Sequence, residues 1–329
     1  MLRAVFIFAL LLSPLRLAGQ ENSRNPLKDL DEKIPVKTTG GILFWGDVLF
    51  LDEWHIQKNT ALNVFRLLDG DADQHALGSF EDCKKRLEKI QAEKGILPMN
   101  GTAVIIMHGF GCNAAVMKDL ADWMTEKKTH DYVLNVTYPS TMQSILEHAK
   151  MLDGIVKNLP PTVKRIDFAA HSLGSIVVRR YLSGPLDEKW RVPENRLNAR
   201  KNFSPDPRIG RLVMLGPPNN GSELAAKLIG KSSVRRFLTG QSGDELGTRW
   251  EETEKTLGIP CCPFAVVAGG RGDGRGYSTL IPGDDDGVVR TEGTKLEGAE
   301  KWIFFNVGHT EMLVDEKVFE EVRKFLLQK

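Results

Sequence analysis

The segment Ile166-Asp167-Phe168-Ala169-Ala170-His171-Ser172-Leu173-Gly174-Ser175 decides the fold. A β-prone run meets a serine set between small residues, and a helical run from Leu173 to Leu182 follows at once. A strand that turns straight into a helix strains the residue at its apex and projects that side chain above the C-terminal edge of a sheet. The residues two before and two after the apex come close to each other and must be small. Here they are Ala170 and Gly174, one methyl away from the general pattern of glycine at both places. A serine between small residues also makes an ordinary helix N-cap, so its surroundings must carry the argument.

Outward from this point, buried strands alternate with helices. Strands are expected at Ala103 to Met107, Tyr132 to Val136, Arg165 to Ala170, Arg211 to Leu215, Phe264 to Ala268 and Lys301 to Val307. Helices are expected at Ala114 to Lys127, Gln143 to Asn158, Leu173 to Leu182, Ser222 to Ile229 and Asp315 to Leu327. That order implies an α/β fold with a mostly parallel sheet covered on both faces. Before it, Ile42 to Trp45, Val48 to Leu51 and Val64 to Leu68 read as antiparallel edge strands, with Gly46-Asp47 as a turn. Phe80 to Lys94 reads as a solvent-facing helix. Ser183 to Arg208 is charged and punctuated by proline, a candidate lid or rim segment, so a small lid or none is expected.

A serine hydroxyl is a weak nucleophile at neutral pH and needs a base oriented by an acid. For this strand-turn-helix geometry the chain order is serine, then acid, then histidine. His309 is the only histidine after Ser172, and it follows the last expected strand. Asp273, Asp284, Asp285 and Asp286 are the available acids, and Asp286 precedes the apolar pair Val288-Val289. Three adjacent aspartates cannot all be buried beside one imidazole, so Asp284 and Asp285 are expected to point outward as solvated turn residues. The negative oxygen of a tetrahedral intermediate needs N–H donors. Leu173, at the start of a helix, and Phe110, in His108-Gly109-Phe110-Gly111, are the candidates. His108 and His171 read as buried structural histidines, His108 bonding within its own loop.

Composition narrows the classes. Of 329 residues, 44 are Lys or Arg and 43 Asp or Glu, which gives no basic excess for nucleic acid. Met1-Leu2-Arg3, the apolar run Ala4 to Leu12, and Leu17-Ala18-Gly19 have the shape of a secretory signal. Its removal takes out two arginines and no acid, leaving 310 residues and a formal charge of −1. The expected organisation is a signal peptide at 1–19, a flexible polar arm at 20–39 and one domain at 40–329, in a secreted or periplasmic protein without a transmembrane span. Cys83, Cys112, Cys261 and Cys262 allow three full pairings, and adjacent Cys261 and Cys262 are unsuited to pairing with each other. No spaced Cys/His cluster suggests a metal, and no cofactor is expected. Asp69 to Asp73 begins like a calcium loop, but Gln74 and Phe80 stand where that loop needs Gly and Glu, so it reads as a surface turn.

With these residues in view, the chain resembles serine lipases and esterases of the α/β-hydrolase superfamily. Ala170-His171-Ser172-Leu173-Gly174 is similar to the elbow of small bacterial triacylglycerol lipases. Met214-Leu215-Gly216-Pro217-Pro218-Asn219-Asn220-Gly221-Ser222-Glu223-Leu224-Ala225 is similar to a segment of lipase-like hydrolases and GPI-inositol-deacylase-like proteins. So is the stretch from Ala268-Gly269-Gly270 through Asp286-Gly287-Val288-Val289 to Val307-Gly308-His309-Thr310. The resemblance covers about residues 100–328. It implies Ser172, Asp286 and His309 as a triad that hydrolyses a small-molecule or lipid ester through an acyl-enzyme, and peripheral contact with lipid is compatible with that role. An acyltransferase or thioesterase with the same triad, and a catalytically silent binding protein of the same fold, are the alternatives. The short, charged 183–208 segment favours soluble or short-to-medium acyl esters.

Overall fold

The structure is a computed structural model that describes residues 44–229 and 233–328. The expected leader, the polar arm and the start of the first expected strand lie outside these residues.

The described residues open with strands β1 (Trp45–Leu51), β2 (Trp54–Asn59), β3 (Phe65–Leu68) and β4 (Gln74–Gly78). They are antiparallel and form a four-stranded sheet in the order β1-β2-β3-β4. These strands bond to one another and do not extend the parallel sheet. Gly46 and Asp47 lie inside β1 and do not form a turn. Helix α1 (Phe80–Lys94) is closed at its start by a Ser79–Asp82 capping box. It turns Cys83, Leu87 and Ile90 onto Trp54, Ile56 and Leu67 of the sheet, so it is amphipathic, with one face against solvent. The stretch that begins like a calcium loop is the β3–β4 turn, where Asp69 accepts from the N–H groups of Asp71 and Asp73.

The remainder alternates as the hydrophobic runs require: β5 (Gly101–Met107), α2 (Lys118–Glu126), β6 (Tyr132–Val136), α3 (Ile145–Asn158), β7 (Val163–His171), α4 (Leu173–Leu182), the short α5 (Arg196–Ala199) and β8 (Ile209–Leu215). Three helices follow β8: α6 (Glu223–Ile229), α7 (Ser233–Leu246) and α8 (Trp250–Glu254). Then come β9 (Phe264–Gly269), β10 (Lys301–Phe305) and α9 (Glu316–Leu326). Six strands form one all-parallel sheet in the order β10-β9-β8-β7-β5-β6. Successive side chains of a strand point to opposite faces. Ala103, Ile105 and Met107 therefore pack with α3 and α4, while Val104 and Ile106 pack with α2 and α9.

The two sheets meet through a reciprocal pair. Asp47 N–H donates to Thr137 O at 2.9 Å, and Thr137 N–H donates to Asp47 Oδ2 at 2.6 Å. Asp47 is buried, and burial raises its carboxyl pKa.

The topology decides between a small lid and none for residues 183–208. Residues 183–208 connect the end of α4 to the start of β8, so they run along the N-terminal edge of the sheet. Arg208 O accepts from Ile166 N–H at 2.9 Å, near the start of β7. The Arg208 guanidinium reaches the carbonyls of Val156, Leu159 and Pro160 at the end of α3. Ser172 follows the other end of β7. The segment is no lid over it, and the acyl-length preference drawn from it loses its footing.

Candidate active site

Ser172 sits between β7 and α4 with φ 53° and ψ −122°. A left-handed φ on a serine is strained, and the surrounding contacts hold it there. Ser172 N–H donates to Leu215 O at 2.8 Å, extending the β7–β8 pairing by one residue. Ser175 Oγ donates to Ala170 O at 2.6 Å, tying the first turn of α4 back to the strand. The neighbour that requires Gly174 differs from the one expected. A methyl there would lie 2.5 Å from His108 O and 2.8 Å from Met107 O, so the helix presses on the end of β5.

His309 is held by three bonds. Its N–H donates to Asp286 O at 2.7 Å, and its Nδ1 lies 2.7 Å from Asp286 Oδ2. Its carbonyl accepts from His171 Nε2 at 3.0 Å. Because a carboxylate only accepts, Nδ1 carries a hydrogen, so in the neutral ring Nε2 is the nitrogen with the lone pair. Asp286 Oδ1 takes the N–H groups of Val288 at 3.0 Å and Val289 at 2.7 Å. Every acceptor of this buried carboxylate thus faces a donor, and the imidazole is fixed in one tautomer. Ser172, Asp286 and His309 are all at least nine-tenths buried.

Gly216, just after β8, closes the cluster. A methyl on it would stand 3.0 Å from His309 Nδ1 and 3.1 Å from Asp286 Oδ2. Leu215, its neighbour, is the residue bonded to Ser172 N–H. The His171 and His309 rings lie 4.5 Å apart. The structure therefore gathers Ser172, Asp286 and His309 at the C-terminal ends of β7 to β10. His171 is buried, and desolvation, aided by the nearby His309, holds its pKa well below the usual imidazole value.

Of the two candidate oxyanion donors, Leu173 follows the serine directly and Phe110 belongs to a loop that reaches it. Leu173 opens α4, and the first N–H groups of a helix have no acceptor within it. Gly109 abuts the serine, since a methyl on it would lie 3.1 Å from Ser172 Cβ. Phe110 follows in that loop, half-buried against the core.

The aspartate run departs from expectation. Asp285 is fully buried and does not point outward. Its Oδ1 accepts from Ser278 at 3.0 Å and Gly287 at 2.7 Å, and burial raises its pKa. Asp284 is half-buried and accepts from Arg271 and Gly272 N–H, each at 2.8 Å. Only Asp286 reaches His309, while Asp284 and Asp285 turn to other backbone N–H groups, and the nearby Asp286 charge adds to burial in raising Asp285. All four cysteines are free. No group of three potential ligands suited to a metal occurs among the described residues, and no helix among them is long and apolar enough to cross a membrane.

No protein-family model and no curated protein matches the sequence. Solved structures do resemble it. The mature form of lipase BlEst2 from Bacillus licheniformis matches with a TM-score of 0.51 at 16% identity, over 70% of this chain and 94% of that one. Its propeptide form matches at 0.52 and 15% identity, over 71% of this chain and 52% of that one. Phospholipase PlaB from Legionella pneumophila matches at 0.50 and 18% identity, over 69% of this chain and 59% of that one. At such identities the likeness is one of architecture. The parallel six-stranded sheet flanked by helices, with its companion antiparallel sheet, has the α/β-hydrolase fold.

Proposed function

We propose that the chain is a serine carboxylester hydrolase acting on a small-molecule or lipid ester. The observation that carries the reading is the buried Asp286–His309 pair at 2.7 Å, gathered with a strained serine at one sheet edge. Ser172 Oγ attacks the ester carbonyl carbon while His309 Nε2 takes the hydroxyl proton. Asp286 holds the ring and stabilises its cationic form. The carbonyl oxygen becomes an oxyanion facing the N–H groups of Phe110 and Leu173. The tetrahedral adduct collapses, the alkoxy group leaves with the proton from His309, and an acyl-serine remains. Water then repeats the sequence and releases the acid. The lipase and phospholipase among the structural neighbours favour ester chemistry for this site.

The test pairs two measurements. Wild type is expected to hydrolyse p-nitrophenyl esters and to be labelled by a fluorophosphonate probe, and folded Ser172→Ala to do neither. Turnover retained in Ser172→Ala would discard the reading. Export by cleavage after Gly19 is part of the same proposal. An intact N-terminus on protein recovered from the medium or periplasm would refute it.

A further inference from the structure

The loop after β5 is anchored by four hydrogen bonds that involve His108, Gly109 and Gly111. His108 Nδ1 lies 2.8 Å from Gly109 O, so this nitrogen carries the hydrogen and donates. Nε2 is then the acceptor, and Tyr138 N–H donates to it at 3.2 Å. The Tyr138 hydroxyl donates to His108 O at 2.8 Å, and the two rings stack with centroids 4.3 Å apart. One residue beyond Phe110, the Gly111 N–H donates to Ser140 Oγ at 3.0 Å. The Phe110 N–H between these anchors has no acceptor among the described residues.

A trans peptide is planar, with its C=O and N–H pointing in opposite directions. The Gly109–Phe110 peptide is trans. Holding Gly109 O against the imidazole therefore turns the Phe110 N–H the other way, and Gly109 itself abuts Ser172. We infer that His108 is the positioning residue that aims the Phe110 N–H at the oxyanion formed on Ser172, with Tyr138 locking the imidazole in place. This rests on the proposed ester hydrolysis. Only a neutral imidazole can donate through Nδ1 and accept through Nε2 together. Burial keeps it neutral, pushing its pKa down to about 4.

His108→Phe keeps a flat ring on Tyr138 and removes both bonds. Loss of an oxyanion donor costs about 100–1,000-fold in kcat, so mis-aiming one is expected to cost about 10–100-fold with KM unchanged. Affinity for a trifluoromethyl ketone, which forms a tetrahedral adduct on the serine, is expected to weaken in step with kcat/KM. His108→Asn places an amide N–H near the former Nδ1 and is expected to recover much of the kcat. Tyr138→Phe, which removes only the hydroxyl, is expected to lower kcat severalfold and decides the matter if His108→Phe does not fold. Wild-type kcat in folded His108→Phe, a change in KM alone, or equal losses in the Phe and Asn variants would overturn the inference. An inactive Ser172→Ala beside unaffected His108 variants sinks only the positioning role. An active Ser172→Ala sinks the hydrolysis reading itself.

Discussion

At the scale of single residues, the site depends on which atoms are left free. His309 has its N–H, C=O and Nδ1 bonded, which leaves Nε2 for the proposed proton transfer. Asp286→Asn keeps the shape, but its amide nitrogen can turn toward Nδ1 and force the wrong tautomer. A loss of about 10⁴-fold in kcat is expected, as when the same change is made in a serine protease triad. A fall of less than about tenfold, with the fold intact by circular dichroism, would count against Asp286 as the acid. Gly216→Ala tests the packing behind this pair. Its φ of 52° disfavours a side chain, and its methyl would press on both His309 Nδ1 and Asp286 Oδ2. The left-handed backbone alone costs roughly 1–2 kcal/mol. Activity is expected to fall further than stability, which a kinetic assay beside a urea melt would separate.

At the scale of elements, the N-terminal sheet touches the sheet edge that carries the proposed site through Asp47 and Thr137. Asp47→Ala leaves the Thr137 N–H buried without its acceptor, at a cost of about 1–3 kcal/mol. Because Thr137 adjoins Tyr138, kcat is expected to fall along with the denaturation midpoint. A lowered midpoint with unchanged kcat would make the contact purely structural. The parallel strands were legible because burial on both faces leaves continuous apolar runs, as in Val104-Ile105-Ile106 and Phe264-Ala265-Val266-Val267. β2 and β4 were not, since Gln57-Lys58 and Gln74-His75 interrupt the apolar signal where these short strands alternate or face solvent. α7 and α8 escaped because charged and small residues blur any helical period. At the site, the order of Ser172, Asp286 and His309 could be read from chain position. The burial of Asp285 could not, because a loop has no periodicity to say which way a carboxylate turns. The contact that demands Gly174 was equally hidden, since it comes from β5, far away in sequence.

At the scale of the whole molecule, buried neutral histidines make stability depend on pH. Burial pushes His108 down to about 4 and His148 to about 3, from an ordinary imidazole value of 6.5. His171 is lowered as well. Below pH 6.5 the unfolded chain takes up protons that the folded chain refuses, so this contribution is complete above about 6.5 and declines as the pH falls toward 4. Asp47 and Asp285 act in the opposite sense. Their raised carboxyls bind protons more readily in the folded state, so they return stability as the pH falls toward 3.8. A raw pH profile therefore mixes the two, and a difference between variants separates them. His148 bonds through Nε2 to Ser242 Oγ at 3.2 Å, a contact that glutamine can reproduce without titrating. One pKa unit corresponds to about 1.4 kcal/mol, so His148 alone is expected to cost wild type about 2 kcal/mol between pH 7 and pH 5. His148→Gln escapes that loss. The wild-type unfolding free energy, measured in urea relative to the variant, should drop by this amount across the interval. Curves that run parallel from pH 7 to pH 5 would show that His148 does not enter the folded state as a suppressed base.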